Sequence, residues 1–115
     1  MVQTDANRRI GARTDVVIPV TVMPAPEGAR GLRRLMATKM KGRITNVSVS
    51  GAELVTRPAK WVAVRHRVMI GDESGAALAD IRRVEKIGKD KVRWGVIFVE
   101  IDPEFEAVLH KAAGF

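Results

Sequence analysis

The sequence has no cysteine, few aromatic residues and no long run of apolar side chains. Without cysteine the chain can form no disulfide framework, no thiolate metal site and no cysteine nucleophile, which is typical of a reducing compartment. No segment approaches the about 18 consecutive apolar residues that a membrane-spanning helix needs. Met1 to Thr14 is polar and lacks the apolar stretch of an export signal. We therefore expect a cytoplasmic protein with no membrane insertion.

The chain is short and basic. Its 115 residues include 20 Lys and Arg against 13 Asp and Glu, giving a formal net charge of +7, and 46% of the residues are hydrophobic. This length supports one hydrophobic core, so we predict one domain. Thirteen of the basic residues are Arg, whose planar guanidinium suits phosphates and guanine edges. The charge therefore indicates an anionic partner, although a basic surface kept for solubility explains the charge alone equally well.

Alternating apolar residues predict antiparallel strands along most of the chain. The predicted strands are Val16 to Met23, Leu35 to Val49, Ala52 to Val55, Val62 to Ile70, Ala76 to Ile87 and Lys91 to Val99. Pro19 predicts an edge or a bulge in the first strand. Gly88, Lys89 and Asp90 are predicted to form the three-residue loop of a hairpin. Short strands at this spacing indicate a sandwich or a small barrel.

The apolar period changes near the C-terminal end of the chain. Asp102 suits an N-cap and Pro103 suits the first helical position. Apolar residues then repeat at helical spacing, at Phe105, Val108, Leu109 and Ala112. This pattern predicts a short amphipathic helix over residues 103–113. We expect its apolar face to pack on the sheet, and partner binding is the alternative.

No combination of residues indicates catalysis or a metal site. His66 and His110 are interpreted as structural, because two histidines without cysteines or clustered carboxylates do not make a metal site. Neither a Gly-rich phosphate loop nor a Gly-x-Ser-x-Gly sequence occurs. The acidic residues lie scattered in turns and on the terminal helix instead of in pairs. We therefore predict a binding protein that is not an enzyme and holds no metal or cofactor.

Two short polar stretches differ from the rest of the chain. The first contains Arg8, Arg9 and Arg13 in a polar arm, where three guanidiniums can converge on one polyanion. In the second, Asn46, Ser48 and Ser50 share one parity and project from one face, and Gly51 follows them. Asn and Ser can bind the edge of a base, and Gly lacks the Cβ that would obstruct a flat ligand or a sharp turn.

The order and setting of these stretches resemble the PilZ family, the bacterial receptors for cyclic di-GMP. The family pattern is Arg-x-x-x-Arg, two strands, and then Asp/Asn-x-Ser-x-x-Gly. Arg9 and Arg13 match the first motif. Asn46, Ser48 and Gly51 match the second motif. Together the matches identify candidate ligand-binding residues at both motifs.

The resemblance extends over nearly the whole chain. It includes the segment from Trp94 to Phe98, where the family has an aromatic residue, Gly and a following Phe. It implies an all-β fold, a six-stranded antiparallel β-barrel with a short C-terminal helix, over residues 15–115. A flexible ligand-binding arm is implied at residues 1–14.

The resemblance also implies the ligand and the output. Cyclic di-GMP would bind on the outside of the barrel, and the resulting change of surface would regulate a downstream protein. Arginines would bridge phosphates, pair with guanine O6 and N7 or stack on the purine, while Asn46 and Ser48 hold another guanine edge. Arg8, directly before the first motif, implies an intercalated ligand dimer. Because Asn46 replaces the commoner Asp, guanine recognition through a carboxylate is not expected.

Two other interpretations stay open. One is a small basic barrel that binds single-stranded nucleic acid, which is not favoured because the chain has few aromatic residues for base stacking. The other is a PilZ-like domain that works through protein contacts without a ligand. The loop from Pro24 to Leu35, with Arg30, Arg33 and Arg34, is either a connector or an added phosphate contact.

Overall fold

The structure, a computed structural model, describes residues 14–25 and 39–114. Within these ranges the chain forms six strands and one helix. They are β1 (Thr14–Pro24), β2 (Met40–Val47), β3 (Gly51–Thr56), β4 (Arg67–Asp72), β5 (Gly75–Gly88), β6 (Lys91–Ile101) and α1 (Pro103–Ala113). The arginines of the predicted arm and of the basic loop lie outside the described residues. Thr14, predicted to end the arm, is the first residue of β1.

The six strands close into a barrel in the order β1-β2-β3-β6-β5-β4. Every pair of neighbours is antiparallel. Closure gives each strand a neighbour on both sides, which removes the open sheet edge that would otherwise pair with other chains. The predicted all-β fold, a six-stranded antiparallel barrel with a short C-terminal helix, is confirmed.

Apolar side chains of alternating parity fill the barrel. The largest fully buried side chains are those of Trp94, Phe105, Ile44, Leu54, Ile70 and Ile81. Each fully buried aliphatic or aromatic side chain of this kind contributes roughly 1.5–3 kcal/mol relative to exposure. This core holds the strands that carry the candidate site in one rigid arrangement.

Helix α1 packs its apolar face against the barrel. Phe105 and Leu109 are buried in the core, as expected, whereas Ala112, predicted on the same face, is exposed and Ala113 is buried instead. Asp102 precedes the helix but makes no side-chain capping bond, because its Oδ2 instead accepts a hydrogen bond from the Ala76 N–H at 2.9 Å. That bond ties the start of α1 to β5. No helix in the described ranges is long and apolar enough to cross a membrane.

Pro19 lies where β1 has only one partner strand. It is opposite Arg43 of β2, whereas the pairing of β1 with β4 starts at Thr21. A proline has no N–H to donate and is tolerated where one side of a strand is unpaired. The register of β1 against β2 also shifts between Asp15 and Ile18. The edge or bulge predicted from this proline is present.

The predicted strand from Val62 to Ile70 is wrong in its first half. Strand β4 starts only at Arg67, and residues 57–66 form turns that are closed by backbone hydrogen bonds. Arg65 has a φ of 76°, in the left-handed region that turns the chain. The backbone therefore reverses within a stretch whose side chains alternate, and Val64, expected to face inward, is 50% exposed.

The hairpin between β5 and β6 has a two-residue loop, not the predicted three. Gly88 pairs with Lys91 and belongs to β5. The pairing of β5 with β4 ends at Asp80, so residues 82–88 pair with β6 alone. The end of the hairpin therefore extends past the neighbouring strand.

Candidate functional site

A concave groove of about 260 Å³ opens where β2, β3, β5 and β6 meet; we call it the motif groove. Its lining residues are Asn46, Ser48, Ser50, Gly51, Ala52, Glu53, Arg82, Arg83, Gly95, Val96 and Ile97. The whole second polar motif therefore lies in one concavity. The sequence spacing predicts only that Asn46, Ser48 and Ser50 project from one face. In the structure these residues lie at the bend between β2 and β3 and form one wall of the groove.

Asn46 lies between two carboxylates. Its backbone partners are Asp15 on β1 and Glu53 on β3. Its Nδ2 donates a hydrogen bond to Oδ1 of Asp15 at 3.0 Å. Its Oδ1 is buried and accepts no hydrogen bond in the described structure. A buried acceptor without a partner costs about 1–3 kcal/mol, and a donor in the groove could reach this oxygen only after the Asn46 side chain rotates.

Ser48 and Gly51 close the bend between β2 and β3. The Gly51 carbonyl accepts hydrogen bonds from the Ser48 N–H at 3.0 Å and from the Ser48 Oγ at 3.3 Å. A Cβ on Gly51 would lie 2.0 Å from the carbonyl oxygen of Val96. The close approach of β3 to β6 therefore requires a glycine at position 51, whether or not a ligand binds nearby. The Ser48 hydroxyl still has lone pairs that can accept a bond from a donor.

A chain of ion pairs links the groove to the hairpin. Arg83 Nη2 lies 2.7 Å from Glu53 Oε2, and Arg93 Nε lies 3.7 Å from Glu53 Oε1. Arg93 Nη1 in turn lies 3.4 Å from Glu85 Oε1. The Glu53 side chain is only 13% exposed, whereas that of Arg83 is 41% exposed. The sheltered carboxylate thus anchors a guanidinium whose remaining donors stay accessible.

Gly95 provides the space for the Arg83 guanidinium. A Cβ at position 95 would lie 3.2 Å from Nε and 3.3 Å from Cζ of Arg83. The guanidinium therefore lies against the backbone of β6. A side chain at position 95 would displace it from this place.

Sequence reasoning missed the β5 wall of the groove, Arg82 and Arg83, and their partner Glu53. Arg83 and Glu53 are 30 residues apart, and they meet because β6 lies between β3 and β5. The Arg-Arg doublet was visible in the sequence, but nothing in its spacing indicates which strand faces it. Because position 46 is Asn, the sequence predicted no carboxylate at the guanine-binding position. The structure places two acidic residues, Asp15 and Glu53, directly opposite Asn46 on the neighbouring strands.

The predicted arm residues, Arg8, Arg9 and Arg13, lie outside the described residues. The first described residue, Thr14, is opposite Val47 on β2, and the next, Asp15, is opposite Asn46. Strand β1 therefore starts beside the second motif. The residue that precedes it in the sequence is the last arginine of the first motif.

The described aromatic side chains do not form a platform on which bases could stack. Trp94 and Phe105 are fully buried. Trp61 packs edge-on against Trp94 with ring centroids 6.5 Å apart, and Phe98 packs partly buried against the core. Across residues 14–25 and 39–114, no group of three or more His, Asp or Glu side chains could hold a metal ion.

The comparisons with known proteins rest on the fold. No protein-family model and no curated protein sequence matches the chain significantly. The fold is similar to that of the Bacillus subtilis inhibitor of motility MotI/DgrA, with a TM-score of 0.56 and 21% identity over 91% of this chain and 49% of that chain. It is also similar to that of K. pneumonia MrkH, with a TM-score of 0.60 and 15% identity over the same shares. The chain thus spans about half the length of each structure and shares their barrel fold.

Proposed function

We propose that this chain is a cyclic di-GMP receptor whose motif groove and arginine arm together hold the dinucleotide. The observation that supports this most directly is the pairing of Thr14 with Val47 and of Asp15 with Asn46. It brings the entry of β1, directly after Arg13, to the wall that carries the second motif. The second motif lines the groove, and we expect the first motif, which directly precedes Thr14 in the sequence, to reach it.

The arm is long enough to reach the groove. An extended chain spans at most about 3.3–3.6 Å per residue, so the backbone of Arg9 can lie anywhere within about 18 Å of Thr14. Arg13 directly precedes Thr14 in the sequence, so it is only one residue from the start of β1. Both guanidiniums can therefore meet a ligand seated against Asn46.

The chemistry of the groove complements the ligand. Cyclic di-GMP offers two phosphates and two guanines. Arg8, Arg9 and Arg13 can bind phosphate oxygens or the O6 and N7 edge of guanine, and the exposed Arg82 adds a cation on the opposite wall. Oδ1 of Asn46 is buried without a hydrogen-bond partner, and a rotation of this side chain would let it accept a hydrogen bond from a guanine N–H.

Binding would regulate a partner by changing the surface of the barrel. Ligand phosphates neutralise the arginines of the arm, so the arm can order over the groove, and the cost of that ordering offsets part of the binding energy. A downstream protein then meets a different surface in the bound state. One protein with a similar fold is named as an inhibitor of motility, which is a regulatory role of this kind.

The test is calorimetric titration with cyclic di-GMP, with GTP as the ligand control. Arg9→Ala, Arg13→Ala and Asn46→Ala should each weaken the affinity by about tenfold or more, because each removes a contact of roughly 1–3 kcal/mol. Lys60→Ala is the matched control, since Lys60 is exposed and lines neither the motif groove nor the other described concavities. Arg8→Ala should lower the ligand stoichiometry if an intercalated dimer binds.

Unchanged affinity in the three motif variants would refute the assignment. Polyanion binding that falls steeply with salt and shows no preference for cyclic di-GMP would indicate a nucleic-acid-binding barrel instead. Recruitment of a partner by ligand-free protein, unaltered by cyclic di-GMP, would indicate a domain that works through protein contacts.

A further inference from the structure

A second and larger concavity, which we call the basic trough, lies further along the same strands. Its volume is about 840 Å³, and it runs between β2, the segment after β3 and the protruding end of the β5–β6 hairpin. Glu53 of the motif groove lies on β3, and Arg57 of the trough directly follows the last residue of that strand. The two residues are four positions apart, which is about 13 Å along an extended chain. The trough is therefore a separate feature of the surface.

The trough has a strong excess of positive charge. Of the described residues that line it, five are basic and one, Asp90, is acidic. The basic residues are Lys41, Arg43, Arg57, Lys89 and Lys91. None of these five takes part in the ion pairs formed within residues 14–25 and 39–114. In the motif groove, by contrast, Glu53 neutralises Arg83. Like charges in a concave site reinforce one another's field, so this one attracts anions.

The floor of the trough is apolar and low. Val55 is buried beneath it, opposite Arg43 of β2. Ile87, 37% exposed, adds apolar surface on the hairpin wall. The cations stand on both walls, from β2 and Arg57 on one side and from the hairpin loop on the other.

We propose that the basic trough binds an extended acidic segment of a partner protein. A peptide chain laid along the apolar floor can direct Asp or Glu side chains to both walls, where Arg43 and Arg57 offer forked pairing with carboxylates. Single-stranded nucleic acids bind best where aromatic rings stack on the bases, and none of the described residues that line the trough is aromatic. A flat anionic membrane does not fit a concave surface whose cations face each other.

This binding goes beyond the proposed function and does not depend on it. The trough would hold its partner through residues that the dinucleotide does not touch. One molecule could therefore bind a partner at the trough while the motif groove binds the messenger.

The test uses fluorescence anisotropy of a short fluorescein-labelled peptide of Glu and Asp with one central Leu. Arg57→Glu and Lys91→Glu should each weaken its binding by about tenfold, because each replaces an attraction by a repulsion. Lys60→Glu is the matched control, since Lys60 is exposed and lies outside the trough. Circular dichroism of each variant confirms that the barrel is folded.

Three outcomes would overturn the proposal. The first is that a peptide with Gln and Asn in place of the acidic residues binds as tightly as the acidic peptide. The second is that Arg57→Glu and Lys91→Glu both bind the acidic peptide with unchanged affinity. The third is that oligothymidylate or anionic vesicles bind more tightly than the peptide and that the same two substitutions abolish this binding. Titration of Arg57→Glu and Lys91→Glu with cyclic di-GMP keeps the two proposals distinct. A protein that binds the acidic peptide but not cyclic di-GMP would refute only the proposed function.

Discussion

The side-chain amide of Asn46 donates to the carboxylate of Asp15 across the β1–β2 pair, with Nδ2 and Oδ1 3.0 Å apart. The two residues are direct backbone partners. A carboxylate therefore lies beside position 46, on the neighbouring strand. An amide is the group that fits beside it, because it supplies the donor that a carboxylate needs.

Asn46→Asp should destabilise the barrel at neutral pH. It places two carboxylates opposite each other and replaces a hydrogen bond by repulsion, at a cost of about 1 kcal/mol. Urea unfolding at neutral pH measures the effect. The double variant Asp15→Asn with Asn46→Asp restores the pairing and should recover most of the stability. An equal loss in both proteins would contradict this reading.

Two glycines of the motif groove should respond differently to alanine. Gly51→Ala places a Cβ 2.0 Å from the backbone oxygen of Val96, so two strands must move apart, at a cost of about 1–3 kcal/mol or more. Gly95→Ala meets only the Arg83 guanidinium at 3.2–3.3 Å, which can shift. Its cost in unfolding free energy should stay below about 1 kcal/mol. Chemical denaturation of both variants provides the measurement, and the reverse ranking would contradict the packing described for β3 and β6.

Thr56→Val should destabilise the core without changing its volume. Oγ1 of Thr56 accepts a hydrogen bond from the fully buried Trp94 Nε1 at 2.9 Å. Valine keeps the shape but leaves the indole donor without a partner, which costs about 1–3 kcal/mol. Thr45→Val is the control, because the Thr45 hydroxyl makes only a long 3.4 Å bond to a backbone oxygen. The change is read from urea unfolding followed by tryptophan fluorescence, and equal losses in both variants would contradict it.

The Asp80–Arg67 pair should make a small pH-dependent contribution to stability. The hydrogen bond from Arg67 lowers the pKa of Asp80 below its ordinary value of 3.8, with Nε and Oδ1 2.7 Å apart. The stabilisation is complete above that ordinary value and is lost as the pH falls through the lower folded pKa. The unfolding free energies of wild type and Asp80→Asn should therefore differ by a constant amount near neutrality and converge in acid. Since both side chains are exposed to solvent, salt should also reduce the difference.

The failures of sequence reasoning share one cause. The alternation of Val62, Val64 and His66 imitates a strand, but the left-handed backbone at Arg65 turns the chain there, and no residue type in that stretch marks the turn. The hairpin loop was predicted one residue too long because Gly88 can pair in a strand as well as turn. The pattern of apolar and polar side chains indicates which residues prefer to be buried. It does not determine the backbone dihedral angles, and these decide where the chain turns.

The local determinants of the barrel were readable from the chain itself. Helical spacing placed Phe105 and Leu109 in the core, because the geometry of a helix is fixed. Asn46 and Ser48, predicted to share a face, both line the motif groove, although Ser48 lies just beyond the end of β2. Strand order is a property of the closed barrel alone. The strand order brings Arg83 to Glu53 and brings β6 so close to Gly51 that only a glycine fits there. It also brings five described cations around one trough. These contacts join residues that are far apart in the sequence, so no local pattern of side chains predicts them.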